Sequence, residues 1–532
     1  MKLYIKNIIP VAALSLTLGM TSCVGDLDVK PIDPNLTTDL YVEGLFNKCY
    51  ATMALAGNGG PDGDCDIDGI DGGTSGFVRQ MWNANELTTD EAVCAWGDDG
   101  IAQFCHNTYD SSHPMLAGYY ARLTTSITYC NQYLNEAESY DATMTAEVRF
   151  LRALDYYLLM DAFGNIPFST TVSKPVRYTR QEAYNFIEKE LLEIEPSLSA
   201  AQPKKSTDSG YGRVDKAAAW LLLSRLYLNA EVYTGTAQWA KAAEYAKKVM
   251  DSSYRLNTTT IGGWSAYQML FMGDNGETDA AYEAILPLLQ DGLKTASYGT
   301  SLYLMGSTFD GDVHANKNEP TKTNGTDQTW GGNRALPNLV AKFFPSNNAP
   351  QVACYDMTDE AGDDRALFDG KGRTLNVDEL GTFKKGYAVA KFTNFKTDGS
   401  VGHDAKHPDT DFFFFRKAEA YLAYAEATAR QNGGSATTEG VAAINALRAR
   451  AHASQHTGYS LNDILDEWSR EFYFEGRRRT DLIRFGKFGG DNNYNWQWKG
   501  GTYNGRNFSA NKNIFAIPSN QVNDVIKQNP GY

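Results

Sequence analysis

The chain is 532 residues long, 42% hydrophobic and 21% charged, with no low-complexity tract, which excludes a disordered or fibrous class and allows a large core. A formal charge of −15 excludes a nucleic-acid binder, because phosphate neutralisation needs a basic face. The one Lys/Arg cluster is Arg477-Arg478-Arg479.

The first element is a targeting segment. Lys2 and Lys6 form a positive start, residues 8–18 a short apolar run, and Met20-Thr21-Ser22-Cys23 closes it. That run is too short to span a bilayer, so residues 1–22 are expected to be a cleaved lipoprotein signal peptide. A Cys directly after small residues looks like a bacterial lipobox, with Cys23 as the acylated N-terminus. Two or more acyl chains give stable anchoring. Residues 23–38 then read as a tether, and residues 39–532 as a single domain. The expected site is the outer membrane, lipid-anchored and facing the exterior.

Further along, Asp64-x-Asp66-x-Asp68-Gly69 mimics the start of a calcium loop, but Ser75 stands where a bidentate Glu is required. The reading is an acidic surface turn. Residues 119–137 form a long helix. Residues 145–162 and 179–192 form a helical pair across a Gly164-Asn165-Ile166-Pro167 turn. A second pair is 216–229 (KAAAWLLLSRLYLN) and 237–250 (AQWAKAAEYAKKVM), and a third is 415–430 (FRKAEAYLAYAEATAR) and 438–450 (TEGVAAINALRAR). Short helices joined by small turns, with alanines where helices approach, follow tetratricopeptide-type grammar. Long irregular insertions separate them: 58–76, 257–410 and the Trp- and Asn-rich 494–513. The expected fold is mainly α, a tetratricopeptide-like hairpin scaffold carrying long loops for binding. Residues 467–487 (EWSREFYFEGRRRTDLIRFGK) suit a helix whose Glu471, Glu475, Arg478 and Asp481 cross-pair with neighbours, a structural rather than catalytic role.

Catalytic signatures are missing. There is no G-x-S-x-G, H-E-x-x-H or phosphate-binding loop, and His403 and His407 sit in a Gly/Asp/Pro loop. No metal or cofactor is expected, although the oxygen-rich turn of Asp274, Asn275 and Glu277 could hold calcium. Besides Cys23, six cysteines remain: Cys49, Cys65, Cys94, Cys105, Cys130 and Cys354. Cys94 and Cys105 are the nearest couple, but buried free thiols are the reading adopted.

The order of several motifs resembles the SusD/RagB family. They are Ala146-Glu147-Val148-Arg149-Phe150-Leu151-Arg152-Ala153 with Phe163-Gly164-Asn165-Ile166-Pro167; Gly212-Arg213-Val214-Asp215; Ala418-Glu419-Ala420-Tyr421-Leu422; Phe474-Glu475-Gly476-Arg477-Arg478-Arg479; and the closing Asn529-Pro530-Gly531-Tyr532. The resemblance implies a non-enzymatic, lipid-anchored glycan binder that sits as a lid on a SusC-like TonB-dependent transporter. Loop stretches 71–79, 85–91, 95–96, 286–292 and 298–299 are most similar to the starch-binding type. That similarity implies an arc of three rings at Trp96, Tyr298 and Trp330 for an α-glucan such as starch or maltodextrin. It also implies polar contacts from Asp71, Arg79 and Asp99. Asp99 replaces an Asn of the starch binders, exchanging an amide that can donate for an acceptor-only carboxylate. The alternatives are a binder of another glycan, a surface glycoside hydrolase using paired carboxylates, and a scaffold or adhesin without glycan affinity.

Overall fold

The computed structural model describes residues 40–61, 63, 65–315 and 324–532. The expected signal peptide, Cys23, the tether up to residue 38 and Asp64 lie outside the described residues. Residues 45–532 form one compact unit.

Helices supply the frame, and their ends follow from the sequence. Pro114 opens the helix Pro114–Glu136, where a proline costs no hydrogen bond. Asp141 caps Ala142–Phe163 by accepting from the Met144 amide, and Gly164, at φ +70°, ends it. A two-stranded hairpin of Ile166–Phe168 with Val176–Tyr178 follows. Thr179 and Glu182 then form a reciprocal capping box that starts Arg180–Ile194. Asp215 caps Lys216–Leu228, whose Ala217, Ala218 and Ala219 are fully buried. Trp239–Met250 packs on that helix and also on Ala418–Gln431, which in turn packs on Thr438–Arg450. The second and third hairpins are therefore stacked, as repeats must be to bury a face that one hairpin leaves open. The mainly helical hairpin scaffold read from the sequence is the observed fold.

Two expected elements differ. Phe415 and Arg416 belong to the strand Phe412–Arg416, antiparallel to Ala284–Leu288, and the helix starts only at Ala418. Four consecutive phenylalanines favour a buried strand over a helix with one apolar stripe. The expected helix over 467–487 is broken into Leu461–Phe472 and Arg478–Arg484. Phe474 and Gly476 lie at φ +63° and +79° in the break. The Glu86 carboxylate fixes this turn by accepting from the amides of Gly476 (2.6 Å) and Arg477 (3.1 Å).

The charged residues of this segment pair as expected. Glu471 accepts from Arg416 (2.6 Å), Arg365 (3.3 Å) and Arg450, all four side chains being fully buried. Glu475 pairs with Arg416 and Lys391 at 2.8 and 2.7 Å, and Arg478 with Asp90 at 2.8 Å. Asp481 takes Arg477 and Arg484. Arg478 and Arg479 are buried, so the basic cluster is no nucleic-acid face.

Burial by itself would raise the carboxyls of Glu467 and Glu471, but the surrounding guanidiniums hold both at about 2, below the ordinary 4.5. Their stabilisation is therefore complete above pH 4.5 and is lost only as pH falls through about 2. Glu471→Gln is expected to destabilise the fold by about 3–5 kcal/mol at pH 7, because it strands buried guanidiniums. Urea unfolding of both proteins should keep that gap at pH 4.5 or above, and the gap should close only near pH 2. A variant as stable as wild type at pH 7 would contradict this reading.

Candidate functional site

An open cleft of about 780 Å³ is lined by Asp71, Arg79, Trp96, Asp98, Tyr298 and Trp330 among others. Five of the six residues expected from the sequence meet here. Asp99 does not line it. It lines two adjoining grooves instead, one with Asp98, Ile70 and Pro114, the other with Gln103 and Asp110.

Three backbone devices bring the rings together. The strand Ala92–Cys94 pairs antiparallel with Asn333–Ala335, so the residues just beyond each strand, Trp96 and Trp330, fall side by side. Their ring centroids are 6.4 Å apart at 54°, and the Trp96 indole N–H donates to the Trp330 carbonyl at 3.1 Å. The Trp330 indole N–H donates to Gln328 Oε1 at 3.0 Å. With both indole N–H groups used internally, the rings offer apolar faces.

Glycines supply the second device. A Cβ at Gly332 would lie 2.3 Å from the Trp96 ring, and one at Gly306 2.8 Å from the Trp330 ring. Third, the backbones of Gly76 and Gly299 touch, with a Cβ at Gly76 only 2.6 Å from Gly299 Cα. The Arg79 amide also donates to the Gly299 carbonyl at 2.9 Å. This contact holds Tyr298 over the short helix Gly72–Ser75, which Asp71 caps through the Thr74 amide. Behind Trp96, Ala95 rests on a small core of Phe309, Val313, Phe383 and Ala388.

All three rings are half-buried, anchored at one edge and open at another. The Arg79 guanidinium lies 5.7 Å from the Trp96 ring and 5.2 Å from Tyr303. Its buried Nε has no hydrogen-bond partner among the described residues. Burial acts to raise the Asp71 carboxyl, but hydrogen bonds from Thr74 and the charge of Arg79 outweigh it and hold it below its ordinary value. The cleft thus joins apolar ring faces to one cationic fork and acceptor carboxylates.

Tyr303, Gln328 and Lys406 were not legible as part of this site. Tyr303 buttresses Trp96 edge-on at 6.1 Å, and Lys406 donates to the Tyr298 hydroxyl at 3.1 Å. Only the proximity of Tyr303 to Tyr298 in sequence offered a signal.

The oxygen-rich turns are only partly taken up by protein partners, since the buried Asp274 Oδ1 has no hydrogen-bond partner among the described residues. Asp66 pairs with Arg122 and Lys48, Asp274 accepts from Thr397, and Glu277 pairs with Lys396. His403 and His407 turn to different carboxylates, Asp409 and Asp404. Among the described residues no group of three or more His, Cys, Asp or Glu is arranged to hold a metal, and no helix is long and apolar enough to cross a membrane. Cys94 and Cys105 are both free and buried, and burial raises both thiols.

Two family models match, one described as "SusD family" over residues 291–532, the other as "Starch-binding associating with outer membrane" over residues 27–228. The starch-binding protein SusD of Bacteroides thetaiotaomicron is 39% identical over 572 aligned positions, covering 99% of both chains. The chain belongs to the SusD family. A more distant SusD-family relative, SusD-like protein P2 of Formosa agariphila, is 24% identical over 75% of this chain and 76% of its own. The fold is also that of surface glycan-binding protein A from B. thetaiotaomicron, solved with laminarihexaose. That structure has a TM-score of 0.65 and 18% identity, over 93% of this chain and 100% of that one. A laminarin-binding SusD-like protein has a TM-score of 0.63 and 21% identity over the same shares of each chain.

Because the Gly332 position has no room for a side chain, Gly332→Ala should displace the Trp96 indole from its bond to the Trp330 carbonyl. The expected result is an altered indole near-ultraviolet circular dichroism signal with the helical signal intact. An unchanged aromatic spectrum would contradict the close packing.

Proposed function

We propose that this cleft captures α-1,4-glucan, in the form of starch and maltodextrins, and that the protein passes the captured chain to a TonB-dependent transporter. The observation that carries the reading is the convergence of Trp96, Tyr298 and Trp330 with Arg79 in one open cleft. The 39% identity to a protein named for starch binding gives the substrate class. A glucose ring presents an apolar C–H face to an indole or phenol ring, while its hydroxyl edge accepts from Arg79 and donates to Asp71 and Asp98. Three tilted rings suit the curved face of an α-glucan helix better than a flat β-1,4 ribbon. Asp99 contributes at the edge of the site, from the adjoining grooves.

A hydrolase is the weaker reading. Glycosidic cleavage needs a carboxylic acid kept protonated by an apolar surround. Asp71 is instead held below its ordinary value beside Arg79, which suits an acceptor.

The chain organisation that accompanies this function is a signal peptide at residues 1–22, acylation at Cys23, a tether to residue 38 and one domain thereafter. Membrane attachment through Cys23, with the cleft facing outward, would place captured glucan beside the transporter. The matched description of starch binders associating with the outer membrane supports this location.

Each ring contact is worth about 0.5–1.5 kcal/mol. Replacing Trp96, Tyr298 and Trp330 together by Ala should therefore weaken cyclodextrin binding by roughly 10- to 2,000-fold. Calorimetric titration with a cyclodextrin and with a cello-oligosaccharide tests both site and substrate. Unchanged cyclodextrin affinity in the triple variant refutes the site, and preference of the wild type for the β-glucan refutes the substrate class. Cys23→Ala should release the protein from the outer-membrane fraction of cells lacking any transporter partner, and persistence in that fraction refutes the lipid anchor.

A further inference from the structure

The Trp- and Asn-rich loop 494–513 carries a second aromatic surface that the cleft does not use. Trp498 and Tyr503 meet edge to face, with centroids 5.9 Å apart at 79°. Trp498 is half-buried, and Tyr503 is 37% exposed. Trp498 adopts φ +72°, a conformation that is costly for a bulky residue and is kept only where the surroundings impose it. Those surroundings are clear. The Trp498 amide donates to the Tyr503 carbonyl (3.2 Å), and the Gly501 amide donates to the Trp498 carbonyl (2.9 Å). The indole N–H donates to the Val377 carbonyl at 2.8 Å. The His106 ring lies against Trp498 at 5.7 Å.

The chemistry around this pair is neutral. Gln497 donates to the Tyr503 hydroxyl at 3.1 Å and to Asn376 Oδ1 at 3.2 Å, setting two side-chain amides at the phenol edge. The half-buried Tyr282 ring, by contrast, is covered by a cation, Arg255 at 4.0 Å. Among the described residues no cation sits over Trp498 or Tyr503. An uncovered ring pair edged by amides matches a neutral, hydroxyl-rich ligand rather than an anionic one.

Grooves adjoining the proposed cleft run along residues 98–103 in the direction of the pair. Trp96 lines the cleft, Asp98 is shared with the next groove, and Asp99 is shared with a third of about 350 Å³ that reaches Gln103. Gln103 and His106 are three residues apart, one helical turn, and His106 meets Trp498.

The geometry points to Trp498 and Tyr503 as a second contact for the same neutral glucan chain, engaged only by polymers long enough to reach beyond the cleft. This inference rests on the proposed glucan-binding function. Two tethered contacts on one chain raise avidity without changing the affinity of either.

Two ligands separate the sites. Tyr503→Ala should leave cyclodextrin affinity unchanged by calorimetry while weakening binding to long amylose by about three- to tenfold in affinity electrophoresis. Tyr503→Phe keeps the ring and should bind amylose as wild type does. Equal amylose retardation of wild type and Tyr503→Ala overturns the second contact and leaves the cleft intact. Loss of cyclodextrin binding in Tyr503→Ala at unchanged thermal stability overturns it too, since the ring would then act through the cleft. Failure of the wild type to bind either glucan overturns the proposed function itself, and the second contact with it.

Discussion

The antiparallel pairing of Ala92–Cys94 with Asn333–Ala335 sets Trp96 beside Trp330 although 234 residues separate them. Closing a loop of that length costs on the order of 5 kcal/mol of chain entropy, more than a three-residue ladder returns. The ladder can persist only because the scaffold has already folded the chain between its strands. Once it forms, the absence of a side chain at Gly332 and Gly306 lets the two indoles lie flat against the backbone. The Gly76–Gly299 contact then sets Tyr298 across the cleft. The rings are positioned by backbone, so their own faces remain available.

The arrangement of the scaffold is in turn specified by a network of buried charge. Glu471, Glu475, Glu467 and Glu283 share Arg365, Arg416 and Arg450 in a space without water-exposed surface. These residues come from the strand at 412–416, the helices at 438–450 and 461–472, the turn at 473–477 and the loops near 283 and 365. Buried ion pairs contribute little net stability, since desolvation offsets their attraction. Each carboxylate nevertheless accepts only a fixed set of guanidiniums, so a wrong arrangement of these segments would strand a charge. The network therefore specifies the register of the loops on the helices, and the cleft inherits that register.

The helical hairpins were legible because alanine-rich stripes with a period near 3.6 are a local signal, and their caps are local too. The strand at Phe412–Arg416 was missed because four phenylalanines read equally as a buried helix edge until their partner Ala284–Leu288 is known. The break at Phe474 was missed because its cause is Glu86, almost 400 residues away. The ring positions were legible only through family resemblance. The one local hint for Trp96 is its loop-like setting between Ala95 and Gly97-Asp98-Asp99, whereas Trp82 lies within a helix, buried against Tyr303 and Phe474. Asp99 shows the same limit from the other side: its neighbour Asp98 lines the cleft, and it lines only the adjoining grooves.

A surface built this way would bind by shape and weak stacking rather than by enclosure. On the proposed function, open rings edged by Arg79 and Lys406 would let a polymer arrive, slide and leave, which suits hand-over to a transporter better than a closed pocket would. The most direct test is a crystal structure of the protein with a cyclodextrin. The account predicts glucose faces seated on Trp96, Tyr298 and Trp330, with the Arg79 guanidinium on a hydroxyl edge. A cyclodextrin bound elsewhere, with these three rings bare, would contradict it.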